Sequence, residues 1–146
     1  MTPLYWAALE LARHWHTGQV DKAGRPYILH PIAVSADPLL PDDTHRAVAL
    51  LHDVIEDTDC TGDDLRAAGM PDLVVENVKL LTKPANGDYN DYIQGVASSR
   101  VATAVKRADI RHNTHPDRLG HLDSSNRERL MLKYAKARKI LDSWAA

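Results

Sequence analysis

The chain has 146 residues, 44% hydrophobic and 26% charged, with 18 basic against 20 acidic side chains and a net charge of −2. Such a chain is expected to form one globular domain, residues 1–146, long enough to bury a core without staples. The balance argues against nucleic acid as the main partner, because duplex binding normally shows as a basic excess.

Thr2-Pro3 opens the first helix, with Thr as cap and Pro at the first helical position. Leu4, Ala8, Leu11 and Trp15 give it an apolar stripe, and Gly18 closes it near residue 17. Residues 19–29 contain Gly24 and Pro26 and no helical period, so they read as a loop. Pro31 starts a second helix, with His30 projecting from its first turn, where a histidine can serve as a structural cap or as a ligand. After Pro38 and Pro41, one of Asp42, Asp43 or Thr44 caps a central helix running to about Asp57.

Thr61 to Asp64 starts a short helix ended by Gly69. Asp72 to Leu81 carries Leu73, Val74, Val78 and Leu81 at helical spacing, and Lys83-Pro84 stops it. Asn86-Gly87-Asp88 is a turn, and Tyr89, Tyr92, Ile93 and Val96 mark a further short helix. Ser98 or Ser99 caps the next, whose apolar positions are Val101, Ala104, Val105 and Ala108 and which Pro116 terminates. Leu130 to Trp144 forms the last helix. With no strand pattern of convincing length and no repeat, the fold class is all-α. The single Cys60 excludes an intrachain disulfide and suits a reducing cytosol. No apolar run approaches the roughly 18 residues of a membrane span, and no signal-peptide pattern opens the chain, so a cytoplasmic location is expected.

The densest chemistry lies at Leu50-Leu51-His52-Asp53-Val54-Ile55-Glu56-Asp57. On one continuous helix, Ala47, Leu50, Leu51, Val54 and Ile55 fall on one side and His52, Asp53, Glu56 and Asp57 on the other. His52 with Glu56, and Asp53 with Asp57, are then neighbours one turn apart. Three carboxylates on one face repel one another unless solvent or a cation intervenes. The face is therefore either solvated or a metal site, with His52 and Asp53 as ligands and Glu56 and Asp57 handling protons. Asp109 lies beside the apolar stripe of its own helix, one turn after Lys106 and one turn before Asn113. Taken alone, it reads as an exposed carboxylate in a weak surface salt bridge with Lys106.

The blocks "HTGQVDKAGRPYILHP", "ALLHDVIEDT" and "VKRADIRHN" occur in this order across residues 16–113. Together they resemble the HD-domain hydrolases of the RelA/SpoT type and their single-domain small alarmone hydrolase relatives. The resemblance implies an all-α HD-domain helical bundle that removes the 3′-pyrophosphate from ppGpp and pppGpp using Mn2+. By motif, His30, His52, Asp53 and Asp109 match the metal ligands, and Glu56 and Asp57 the acidic pair at the metal-bound water. Asn113 matches a contact to the sugar-phosphate, and Lys22 a lysine lining the nucleotide pocket. Lys106 is a further available cation for the pyrophosphate.

Two positions depart from the family. Asp21 and Ile110 stand where Arg is common, which predicts a looser preference for guanine and fewer phosphate contacts near Asp109. Two imidazoles and two carboxylates suit Mn2+, while Fe2+ and Zn2+ fit the same donors. The lack of thiolates weighs against structural zinc. A nucleotide is the expected small-molecule partner, with neither nucleic acid nor membrane. Two other readings use the same residues: an HD phosphohydrolase acting on an adenine alarmone or NADPH, and a non-catalytic nucleotide-binding module. Clustered negative charge at Glu56 and Asp57 disfavours the second, because a pure binder gains little from it beside phosphates.

Overall fold

The computed structural model describes residues 1–145, and all ten of their regular elements are helices. In chain order these are α1 (Pro3–Trp15), α2 (Leu29–Ser35), α3 (Asp43–Leu51), α4 (Val54–Asp57), α5 (Gly62–Ala67), α6 (Asp72–Leu80), α7 (Tyr89–Ala97), α8 (Arg100–Asn113), α9 (Pro116–Leu119) and α10 (Ser124–Trp144). Among the described residues, the β pairing is limited to an isolated bridge between Val20 and Pro26. No helix of these is long and apolar enough to cross a membrane.

The core is organised around α3. Its Ala47, Val48, Ala49, Leu50 and Leu51 are all buried, leaving no polar stripe in its second half, as expected of a helix enclosed on every side. Helices α1, α2, α6 and α8 pack around it, while α7 and α10 close the bundle beyond α8. Asp42 caps α3 by accepting from the His45 amide at 3.0 Å. Asp43 instead reaches back across the bundle, where the Thr2 amide donates to its Oδ2 at 2.6 Å. The expected side-chain cap by Thr2 is therefore absent, and its backbone pins α1 to α3.

Several expectations are corrected. The buried face of α1 is Tyr5, Ala8, Leu9 and Ala12, so the stripe is rotated and Leu4, Leu11 and Trp15 flank it. The small Ala8 and Ala12 lie in that face and allow a close approach to α3. Leu73, counted among the apolar positions, points outward, and Val75 is buried in its place. Helix α10 begins at Ser124, well before Leu130, because Asp123 caps it by accepting from the Asn126 amide at 2.8 Å.

The largest difference is in the central helix, which does not run unbroken to Asp57. It stops at Leu51 and resumes at Val54, leaving His52 and Asp53 at the break. The cause is local: the His52 ring Nδ1–H donates to the Ala49 carbonyl, the acceptor that the Asp53 amide takes in a regular helix. The His52 amide meets the same carbonyl at 3.5 Å, tightening this last turn. Both side chains thereby turn toward the interior, although α4 restores the helical bond from the Asp57 amide to the Asp53 carbonyl at 2.9 Å.

Cys60 is buried, and burial pushes its thiol up to about 11, which suits an inert core residue.

If α3 is the core element, Leu50→Ala loses about 2–5 kcal/mol in urea unfolding. A loss below about 1 kcal/mol contradicts that placement.

Candidate metal centre

Four side chains from three segments meet beneath the break. His30 from α2 is buried, with Nε2 2.9 Å from Asp109 Oδ1 and 3.9 Å from Asp53 Oδ2. His52 Nε2 lies 3.2 Å from Asp53 Oδ2 and 3.4 Å from Asp109 Oδ1. The donor atoms of His30, His52 and Asp109 all lie within 4.8 Å of one another, and Asp53 adds a carboxylate on the same side.

The chemistry of this set fits a divalent cation. His52 Nδ1–H is committed to the Ala49 carbonyl, so only Nε2 faces the cluster, and that buried atom has no well-formed hydrogen-bond partner. Burial opposes charge on His52, but the Asp53 and Asp109 carboxylates outweigh it and hold its pKa well above the ordinary histidine value. Burial likewise opposes charge on Asp53, yet His52 brings it down to about 2. The cluster therefore demands a positive centre, which a proton on His52 or a metal ion can provide.

Surrounding groups hold these side chains in place. Burial opposes ionisation of Asp109, and Lys106, with Nζ 3.1 Å from Oδ2, keeps its pKa well below the usual range. Asn113 Nδ2–H donates to Asp109 Oδ1 at 3.0 Å. Lys106 and Asn113, read as substrate contacts, are thus both placed on the Asp109 carboxylate. Lys106 is buried and sits over the Tyr92 ring at 5.3 Å, so the surface salt bridge expected for it is a buried one. Tyr27 OH donates to Asp53 Oδ2. His30 Nδ1 and His112 Nδ1 are 2.7 Å apart with their rings stacked, so one of the two nitrogens donates to the other. Burial, then His30 itself, lowers His112 to about 4, which leaves it neutral and able to accept.

Glu56 and Asp57 stand at the rim. Glu56 Oε1 accepts from the Lys83 amide at 2.7 Å. Asp57 is crowded by protein and by the charges of Asp53 and Glu56, and its carboxyl is pushed up to about 6. Its backbone carbonyl accepts from Gln19 Nε2 at 2.8 Å, and Gln19 Oε1 accepts in turn from His16 Nδ1 at 2.6 Å. Sequence reasoning missed His16, Gln19, Tyr27 and His112 as supports. All four stand inside the motif blocks, so their position was available but their partners were not.

A cleft of about 370 Å³ opens beside the centre. Tyr27 and Asn113 belong to both, and Lys22 lines the cleft wall as expected. Asp21 is taken up by its own loop, where Oδ1 accepts from the Ala23 and Arg25 amides at 2.9 and 3.0 Å. Arg25, on the other arm of that turn, lies 3.7 Å from Asp21 Oδ2 and supplies a cation that position 21 lacks. Ile110 is fully buried in the core, so a phosphate contact from that position is sterically excluded.

Comparison with known proteins gives a consistent set of relatives. No protein-family model matches the chain. It is 32% identical to a GTP pyrophosphokinase of Streptomyces coelicolor over 94% of this chain and 16% of that protein. It is 35% identical to the bifunctional (p)ppGpp synthase/hydrolase SpoT of Escherichia coli over 82% of this chain and 18% of that protein. The chain thus spans less than a fifth of the length of these relatives. Among solved structures, it matches a metazoan ortholog of SpoT, described as hydrolysing ppGpp and playing a role in starvation responses. That match has a TM-score of 0.83 and 25% identity, and covers 97% of this chain and 86% of that one.

Because Lys106 neutralises a buried carboxylate, Lys106→Met is expected to destabilise the metal-free protein by about 3–5 kcal/mol in urea unfolding. A loss under about 1 kcal/mol would make the pair equivalent to a surface bridge.

Proposed function

The chain belongs to the HD-type hydrolase domains of the RelA/SpoT kind, and from that premise we propose that it hydrolyses the 3′-pyrophosphate of (p)ppGpp. The observation that carries this reading is the buried convergence of His30, His52 and Asp109, with the Asp53 carboxylate against them, beside a cleft with cations on its wall. His30, His52, Asp53 and Asp109 would hold a divalent ion, Mn2+ in this reading, with Fe2+ and Zn2+ suiting the same donors. When bound, such an ion lowers the pKa of a water toward neutrality and polarises a phosphoryl oxygen.

The remaining chemistry falls to the chain's own side chains. Glu56, fixed by the Lys83 amide, orients the attacking water and takes its proton. The water oxygen bonds to the phosphorus carried by the ribose 3′-oxygen, and the bond between them breaks. Asp57, whose carboxyl is pushed up by burial and by the neighbouring Asp53 and Glu56 charges, serves as the group that delivers a proton to that leaving oxygen. The products are GDP or GTP and intact pyrophosphate, with the 5′-phosphates untouched. Lys22 attracts the anionic substrate into the cleft and Asn113 borders its sugar, while Lys106 acts through Asp109 by keeping it ionised. The protein would work on the cytoplasmic nucleotide pool, where a reduced Cys60 is at home.

Purine selectivity is a second element of the reading. Leu122, Leu130 and Tyr134 give the cleft an apolar wall suited to any purine, and Asp21 is bound to its own loop. Adenine nucleotides bearing a 3′-pyrophosphate are therefore expected to be cleaved as well.

With Mn2+ and a nucleotide panel resolved by anion exchange, ppGpp is expected to yield GDP and pyrophosphate. Stepwise orthophosphate release would mark a phosphatase instead, and failure to cleave any nucleoside 3′-pyrophosphate would sink the reading. Asp53→Ala should lose the metal by elemental analysis, and full occupancy would remove Asp53 from the ligand set. Glu56→Gln should lower kcat by about 10²–10⁴-fold with metal content unchanged. A near wild-type rate would assign Glu56 to the solvated surface.

A further inference from the structure

Gln19 opens the loop that lines the cleft, and it bonds both to that loop and to the end of α4. Its backbone carbonyl accepts from the Tyr27 amide at 2.9 Å, and its side-chain Nε2–H donates to the Asp57 carbonyl at 2.8 Å. Tyr27 OH donates in turn to Asp53 Oδ2, and the Asp53 carbonyl accepts from the Asp57 amide at 2.9 Å. Gln19, Tyr27, Asp53 and Asp57 thus form a closed circuit of hydrogen bonds around the break in the central helix. Helix α4 has four residues, too few to hold its shape by its own hydrogen bonds. Among the described residues, nothing hydrogen-bonds the Asp57 carboxylate itself, so its place is set through its backbone, which Gln19 grips from 38 residues away.

Chemistry dictates how that grip is oriented. A carbonyl only accepts, so Gln19 must present its NH2 group to Asp57, and its Oε1 then faces His16. Oε1 also only accepts, so His16 Nδ1, 2.6 Å away, must carry the ring's hydrogen. His16 is 2% exposed, and burial lowers its pKa, so the ring is neutral and has that one N–H to give. The imidazole therefore fixes which way the Gln19 amide points. With the amide reversed, Oε1 would meet the Asp57 carbonyl, and two acceptors would face each other at hydrogen-bond distance.

We propose that Gln19, oriented by His16, is the positioning residue for Asp57, holding its backbone so that the carboxyl lies where the leaving 3′-oxygen can take its proton. This rests on the hydrolase reading above. The Gln19 side chain makes no hydrogen bond to His30, His52, Asp53 or Asp109, so metal binding and substrate capture fall to other groups. Its effect is on the geometry of one step, where small displacements are costly.

The test is a set of substitutions on the Mn2+-loaded protein. Gln19→Met keeps the side chain's length and the backbone bond to Tyr27 but donates nothing to Asp57. It is expected to lower kcat on ppGpp by about 10–100-fold, with KM and metal content little changed. In the Asp57→Asn background the same substitution should have no further effect, because a residue acting through the Asp57 carboxyl is silent once that carboxyl is gone. His16→Phe should reproduce the Gln19→Met loss, and His16→Asn, which puts an N–H donor where Nδ1 stands, should recover part of it. A Gln19→Met loss that persists undiminished beside Asp57→Asn, or one carried by KM alone, would overturn the assignment. Hydrogen exchange over residues 53–60, followed by mass spectrometry, reads the same device without turnover. It should quicken by about 3–10-fold in Gln19→Met and His16→Phe and return toward wild type in His16→Asn. Should the wild type cleave no 3′-pyrophosphate, the hydrolase reading fails, while the exchange rates still decide whether His16 and Gln19 hold Asp57 in place. Unchanged exchange in Gln19→Met would refute it.

Discussion

The structure depends on keeping Asp109 ionised where ionisation is costly. A buried carboxylate without compensation is among the most destabilising groups a fold can contain. Asp109 has Lys106 at 3.1 Å on one oxygen, and His30 at 2.9 Å and Asn113 at 3.0 Å on the other. Lys106 and Asn113 come from the same helix as Asp109, so α8 carries half of the solution within itself. The rest must come from α2 and from the broken end of α3. The requirement to satisfy one charge therefore fixes how three helices meet, and the apolar core around Leu50, Val105 and Ile110 has to conform to it.

Charge is segregated within a few residues of that point. Asp53, Glu56, Asp57 and Asp109 gather around the centre, while Lys22, Arg25 and Arg118 face the adjoining cleft. The chain's near-neutral total conceals this arrangement. An anionic ligand meets a favourable field on the cleft wall, and a cation meets one at the centre, each side compensating what the other would repel.

Much of the fold was readable because helix ends are local chemistry. The caps at Thr61 and Ser99 follow from side chains a few residues from the amides they bind, as does the glycine stop at Gly69, with φ +94°. The break at His52-Asp53 was not readable. Periodicity treats a ring nitrogen as one more polar group, and only the hydrogen bond to the Ala49 carbonyl turns His52 inward. The four-residue α9 lies below the length at which any period can show. The convergence of His30, His52 and Asp109 was legible through the motif blocks rather than from helix geometry, since a continuous central helix puts His52 on the polar face opposite Leu50 and Leu51. The second layer was out of reach for a different reason. His112 meets His30 across 82 residues, and Gln19 meets Asp57 across 38. No local pattern encodes such pairings.

His30 and Asp109 are separated by 79 residues of chain, with His52 and Asp53 between them. The centre thus has no precursor in any single hairpin or short fragment. It comes into being only when α2, α3 and α8 have all docked, and it disappears as soon as any one of them lifts away. Loop-closure entropy rises slowly with length, so this wide spacing adds little to the cost of folding. What it does impose is an all-or-none character: a partly unfolded molecule has no weakened version of the site, and chemistry is confined to fully assembled copies.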